Sequence, residues 1–298
     1  IKDLPTPPET FRAFIIPGRR SQTLVESWYQ VPYGYIELRK SSANGAVSDG
    51  NGNYSLKGAE YGIFKGEKQV TKLTTDQNGY AKSGELEAGS YTVKELTASK
   101  GYVVDVTAHN VTVEPEKTAA VTVTEVPQSN PMDLLLQKLD KERKKAEPQG
   151  SASLAEAQFT VKFYTGQSDT DPAAGGAKPA RTWIFKTDAE GKAHFSKNYL
   201  VSGDAFYTQT DGKTPCLPLG TVTVQETKAP AGYFTNDTVF VQKITAGGAK
   251  ETVSCYNASS VEEQVYRGGV KVQKRDLETK KAEAQGGATL EGVVFTVT

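Results

Sequence analysis

Three lysines stand at the same step of three similar stretches: Lys40 in "YIELRK", Lys138 in "LLLQK" and Lys274 in "VKVQK". Each follows two apolar residues spaced by two: Ile36 and Leu38, Leu134 and Leu136, Val270 and Val272. In an extended chain alternate side chains share a face, so each lysine lies on the apolar side. Glutamates obey the same rule, Glu95 with Tyr91 and Val93, and Glu226 with Val222 and Val224. Two later stretches put Glu125 with Val121 and Val123, and Asn257 with Val253 and Cys255. An amine, a carboxyl and a terminal acid or amide thus point at the core twice over.

A lysine or glutamate at one strand end often reaches solvent along its own stem, and charged groups are seldom buried unless paired. Recurrence at equivalent places argues for burial, with a plain salt bridge as the simplest outcome. The third partner suggests more. Burial disfavours charge, lowering a lysine pKa and raising a glutamate pKa. A neutral ε-amine is a nucleophile, and a protonated carboxyl can polarise an amide carbonyl and shuttle protons. Held together, Lys138, Glu226 and Asn257 could form a Lys–Asn isopeptide bond with loss of ammonia, once and without turnover.

The elements that must position these groups form a repeat. "LTTDQNGYA" (73–81) answers "FKTDAEGKAHF" (185–195), and "LEAGSYTVKELTASKGY" (86–102) answers "LPLGTVTVQETKAPAGY" (217–233). Short alternating stretches separated by Gly, Asp and Asn turns predict an all-β fold of tandem Ig-like sandwiches. The segment "PMDLLLQKLDKERKKA" has helical spacing at Leu135 and Leu139, but its place in the repeat assigns a strand over Leu134 to Asp140. The expected divisions are 1–33, the end of a preceding module plus linker; 34–130, a first domain; 131–267, a second with a loop insertion near 166–180; and 268–298, the start of a third that is cut off.

Composition narrows the function. The 298 residues hold 35 basic and 35 acidic side chains, so nothing recommends nucleic acid or an anionic membrane as partner. No apolar run approaches a membrane span. Two histidines and two cysteines make a histidine-based active site or a Cys/His metal site improbable, and no metal or cofactor is expected. His109 and His194 are read as structural. "DGNGNYSLKGAE" (49–60) starts like a calcium loop, but Tyr54 stands where the loop needs glycine, so a turn is expected. Cys216 and Cys255 could form a disulfide, or Cys255 could be a buried thiol.

The set "QKLD … VQETKAPAGY … SCYNAS" resembles the Cna B-type, or SpaA-type, isopeptide-forming domains of Gram-positive surface adhesins and pilins, over roughly residues 33–267. The resemblance implies a prealbumin-like sandwich in which the opening-strand lysine bonds to a last-strand Asn or Asp and the glutamate of the "ET-x-AP-x-GY" box is catalytic. In the second unit these are Lys138, Asn257 and Glu226. In the first, Lys40 and Glu95 match, the box is eroded to "ELTASKGY", and the closing position is Glu125, a longer acid than the pattern uses. Lys274 would find its partners beyond residue 298, and Asp3 in "IKDLPTPPE" could be the acceptor of a preceding module. The implied role is a stalk of a cell-wall-anchored adhesin or pilin, outside the cell, joined to peptidoglycan by sortase, with its host or surface ligand held by another part of the protein. Pulling force would cross the covalent bond, and the constellation consumes itself, so no enzyme is implied. The alternative is a sandwich that binds a carbohydrate or host protein through exposed aromatics near Trp183 or Trp28.

Overall fold

The computed structural model describes residues 32–296. The first unit contains β1 (Tyr33–Ser42), a single helical turn α1 (Gly45–Ser48), β2 (Glu60–Lys65), β3 (Lys68–Thr74), β4 (Tyr80–Lys82), β5 (Leu86–Glu87), β6 (Gly89–Thr97), β7 (His109–Val113) and β8 (Thr118–Glu125). One sheet has β4 and β8 flanking β1, with β5 joined at the start of β1, and the other runs β3-β2-β6-β7. Between them lie Ile36, Leu38, Tyr61, Ile63, Tyr91, Val93, Val121 and Val123, the inward residues of each alternation. That is the two-layer solution open to strands with one apolar face.

The second unit repeats the plan with more strands: β9 (Ser129–Pro131), β10 (Leu134–Asp140), β11 (Gln158–Tyr164), β12 (Arg181–Lys186), β13 (Lys192–His194), β14 (Leu200–Gly203), β15 (Tyr207–Thr208), β16 (Pro215–Pro218), β17 (Gly220–Lys228), β18 (Val239–Ile244) and β19 (Ser259–Glu263). Its sheets run β13-β10-β19 and β14-β12-β11-β17-β18, with a small β15-β16-β9 sheet at one end. Leu134–Asp140 is a strand, so its partners across the sheet outweigh the local helical spacing. The 166–180 insertion is the connection from β11 to β12 and holds one 3-10 turn, Pro172–Gly175.

In both units the opening and closing strands are neighbours and run parallel. Lys40 is level with Val123 and Ser42 with Glu125; Lys138 is level with Val261 and Asp140 with Glu263. Pairing of this kind needs a long crossover between the strands, and here the crossover is the rest of the domain.

The units share a joint. Val47, Tyr54 and Tyr102 of the first belong to the hydrophobic cluster of the second. The Tyr54 hydroxyl donates to the Gln128 carbonyl at 2.6 Å and accepts from the Leu219 N–H at 2.8 Å. Asn51 and Asn53 donate to the carbonyls of Leu219 and Thr165 at 2.8 and 2.7 Å. The stretch that began like a calcium loop is therefore this joint, and no group of potential metal ligands occurs among the described residues.

Residues 268–296 form no strand, and Val270 and Val272 are exposed. The turn at Asp276 nevertheless copies the one at Asp140: each carboxylate accepts two backbone N–H groups and a glutamine side chain nine residues on. Asp3 and Trp28 lie outside the described residues.

Candidate functional site

The lysine of each opening strand is held by its backbone first. In "DQNG" and "DAEG" the Asp side chain caps the turn, Asp76 accepting from Tyr80 N–H and Asp188 from Lys192 N–H, and a glycine closes it at positive φ, Gly79 at 72° and Gly191 at 73°. The glycine carbonyls accept from Lys40 N–H and Lys138 N–H, each at 2.8 Å. A Cβ at Gly79 would sit 2.4 Å from the Lys40 carbonyl, and one at Gly191 would sit 3.2 Å from Lys138 Cβ. Glycine is thus required by conformation and by closeness to the lysine strand.

Both ammonium groups are sealed inside. Lys40 and Lys138 are the buried lysines among the described residues, with fully buried side chains. Lys40 Nζ lies 3.3 Å from Glu95 Oε1 and 3.0 Å from Glu125 Oε2. Lys138 Nζ contacts Glu226 Oε1 and lies 2.6 Å from Glu263 Oε1. Aromatic faces complete the cages, Tyr102 at 5.3 Å from Lys40 Nζ and Phe159 at 5.1 Å from Lys138 Nζ.

Each box glutamate has a second anchor. Asp105 N–H donates to Glu95 Oε2 at 2.6 Å, and Asn236 N–H donates to Glu226 Oε2 at 2.7 Å. Asp105 also meets His109 Nε2 at 3.1 Å, which gives that histidine a positioning contact. The closing-strand glutamates differ. Glu125 Oε1 accepts from the Tyr61 hydroxyl at 2.5 Å, whereas neither oxygen of Glu263 has a partner in hydrogen-bond geometry.

Two carboxyls and one ammonium in a dry site cannot all be charged cheaply, so a proton is retained. In the first unit burial pushes Glu95 up to about 7, the nearby Glu125 adding to it and the Asp105 N–H and Lys40 opposing. In the second unit burial pushes Glu263 up to about 7, with Lys138 opposing and Glu226 adding.

Asn257 is not beside Lys138. It is exposed and lies before β19, its backbone N–H and carbonyl both taken by the Gln242 side chain. The stretch Val253–Asn257 is no closing strand: Asn130 Oδ1 accepts from the N–H groups of Cys255 and Tyr256, and the Tyr256 hydroxyl donates to the Leu135 carbonyl. These side-chain ties take the place of a ladder. Glu263 stands beside Lys138 instead. Tyr102 bridges Pro127 and Tyr233 bridges Val265, each two residues past the glutamate, so Glu125 and Glu263 are equivalents. Tyr61 and Phe159 carry no signal of their own in the sequence, each being one more inward aromatic of an alternation.

Lys274 is exposed and lies in no strand. The possible disulfide is absent: Cys216 is buried and free, Cys255 is free and donates to the Thr245 carbonyl at 3.4 Å. Burial against its apolar neighbours pushes the Cys216 thiol up to about 12, a structural thiol with little nucleophilic character. Trp183 is fully buried among Phe195, Phe206 and Tyr207 and donates to the Asp204 carbonyl, so it offers no stacking platform.

A family model described as the SpaA prealbumin-like fold domain matches residues 43–127 and again 140–259, more than half of the chain. The trypsin-resistant surface T6 protein of Streptococcus pyogenes is 38% identical over 58 residues, which are 19% of this chain and 11% of that protein. The solved structure of the Bacillus anthracis TIE protein aligns with a TM-score of 0.51 at 22% identity, over 78% of this chain and 34% of its own. A C-terminal fragment of the pilus adhesin SpaC from Lactobacillus rhamnosus GG aligns over 80% of this chain and 100% of its own, at 16% identity and a TM-score of 0.44. The chain spans far less than two thirds of the T6 and TIE proteins.

Proposed function

Since the chain belongs to the SpaA prealbumin-like domain family, we propose that it is a pair of load-bearing stalk modules of a Gram-positive cell-surface adhesin or pilin, in which a buried lysine–glutamate cluster can become a self-made amide cross-link. The observation that carries this reading is the same in both units. A sealed lysine on the opening strand meets a glutamate on the parallel closing strand, with a second glutamate alongside. The acceptor is a glutamate where the resemblance implied Asn or Asp, so water leaves instead of ammonia.

In the second unit the neutral Glu263 carboxyl is the electrophile. Glu226 takes a proton from the Lys138 ammonium, and the freed amine attacks Glu263 Cδ. As the C–N bond forms and a C–O bond breaks, Glu226 passes that proton to the departing hydroxyl, which leaves as water, and takes the second proton from the nitrogen, ending as a neutral acid beside the amide. The strand register supplies the proximity that makes a carboxylic acid reactive toward an amine. Closing the loop from Lys138 to Glu263 would restrict the unfolded chain by about 5 kcal/mol, as a disulfide of that span does. The modules act outside the cell on the wall-anchored surface, and ligand capture and sortase attachment to peptidoglycan belong to other parts of the whole protein.

Intact mass under denaturing conditions tests this directly. The expected value is below the encoded mass by one water for each bond, restored in the second unit by Glu226→Ala. An unshifted mass overturns the covalent step and leaves buried ion clusters.

A further inference from the structure

The two clusters differ at one position on the second strand of each unit. Tyr61 is level with Glu95, and Phe159 is level with Glu226, so the two aromatics are equivalents. Only the tyrosine can donate a hydrogen bond. Counting donors separates the sites. Each box glutamate has its lysine and one backbone N–H. Glu125 has Lys40 and the Tyr61 hydroxyl, while Glu263 has Lys138 alone and two oxygens otherwise unpartnered.

We propose that Tyr61 decides which cluster cross-links: its hydroxyl engages the Glu125 oxygen and keeps the first unit an ion cluster, while Phe159 leaves Glu263 to react. This rests on the cross-linking reading above. A carboxylate resists attack by an amine, because its oxygen must leave as water. Donation to the anion favours that charged form, and each pH unit by which the acid is strengthened cuts the neutral, attackable carboxyl tenfold. Burial raises the box glutamate, Glu95, in the first unit and the closing-strand glutamate, Glu263, in the second. The groups around Glu125 are Lys40 from β1, Tyr61 from β2 and Glu95 from β6, with Asp105 and His109 behind Glu95.

The test uses the whole chain and Tyr61→Phe, a change the second unit already carries at Phe159. In the unaltered protein, denaturing mass and peptide mapping should find one lost water, in a peptide joining Lys138 to Glu263. Tyr61→Phe should lose a second, joining Lys40 to Glu125. Two links in the unaltered protein, or no link between Lys40 and Glu125 in the variant when the second unit is linked, would overturn the proposal. If no water leaves either protein, the cross-linking reading fails and Tyr61 is judged separately. Carbon-13 NMR of labelled glutamate should then show the Glu125 carboxyl signal displaced in Tyr61→Phe by the loss of its hydrogen bond. An unmoved signal refutes Tyr61's part.

Discussion

Replacing the whole second cluster with apolar residues separates a covalent clamp from an ion pair by the sign of the stability change. Lys138→Met alone is too blunt. It strands two buried carboxyls, at about 3–5 kcal/mol, and would forfeit about 5 kcal/mol of loop restriction besides. Together these approach the roughly 5–15 kcal/mol total of an ordinary domain, so a failure to fold would not tell the two reasons apart. Lys138→Met with Glu226→Leu and Glu263→Leu removes every charge at once. If the cluster is only electrostatic, an apolar replacement of similar volume is neutral or stabilising by about 1–4 kcal/mol. If Lys138 and Glu263 are bonded, the triple variant gives up about 5 kcal/mol and regains part of it, ending below the parent. Trp183, fully buried in this unit, is the reporter, and Trp28→Phe leaves it as the single tryptophan of the chain. Equilibrium unfolding in guanidinium followed by Trp183 fluorescence gives the comparison. A triple variant at least as stable as the parent would refute the covalent argument for this unit.

Glu263→Gln should still cross-link but expel ammonia, so the variant and the parent should converge on one intact mass although their encoded masses differ. Peptide mapping would identify the shared Lys138 link. In the first unit Glu95 is raised from 4.5 to about 7 in the folded protein, so its contribution is fully present below pH 4.5 and is lost as pH rises through about 7. The change is about 3 kcal/mol, read as the difference in pH-dependent unfolding between the parent and Glu95→Gln. Tyr54→Phe removes the hydroxyl that serves both Gln128 and Leu219, and should cost about 1–3 kcal/mol. Calorimetry should then show the melting of the two units drawing apart.

The fold was legible because period-two alternation and Asp/Gly turns recur. Two copies of an ambiguous strand such as Leu134–Asp140 constrain each other where one would have read as helix. Lysines and box glutamates were legible for the same reason, each ending an alternation that the pleat carries inward. The acceptor of the second unit was not. An asparagine in apolar alternation at Val253, Cys255 and Asn257 matched the expected chemistry, and alternation cannot tell a laddered strand from a segment tied down by Asn130 and Gln242. The contribution of Tyr61 was also hidden, since a hydroxyl at the end of an inward ring matters only once its partner's position is known.

The shared cluster around Tyr54 has a mechanical corollary of another kind. Two beads joined by a flexible tether bend with thermal motion and shorten their reach. These two beads instead share a hydrophobic core, and Gln128 in the connection donates to the carbonyls of Gly247 and Lys250 while its own carbonyl takes the Tyr54 hydroxyl. The connection therefore has bending stiffness. Repeating such a joint would give a rod that projects whatever it carries at a fixed distance and angle, with reach growing in proportion to the number of modules.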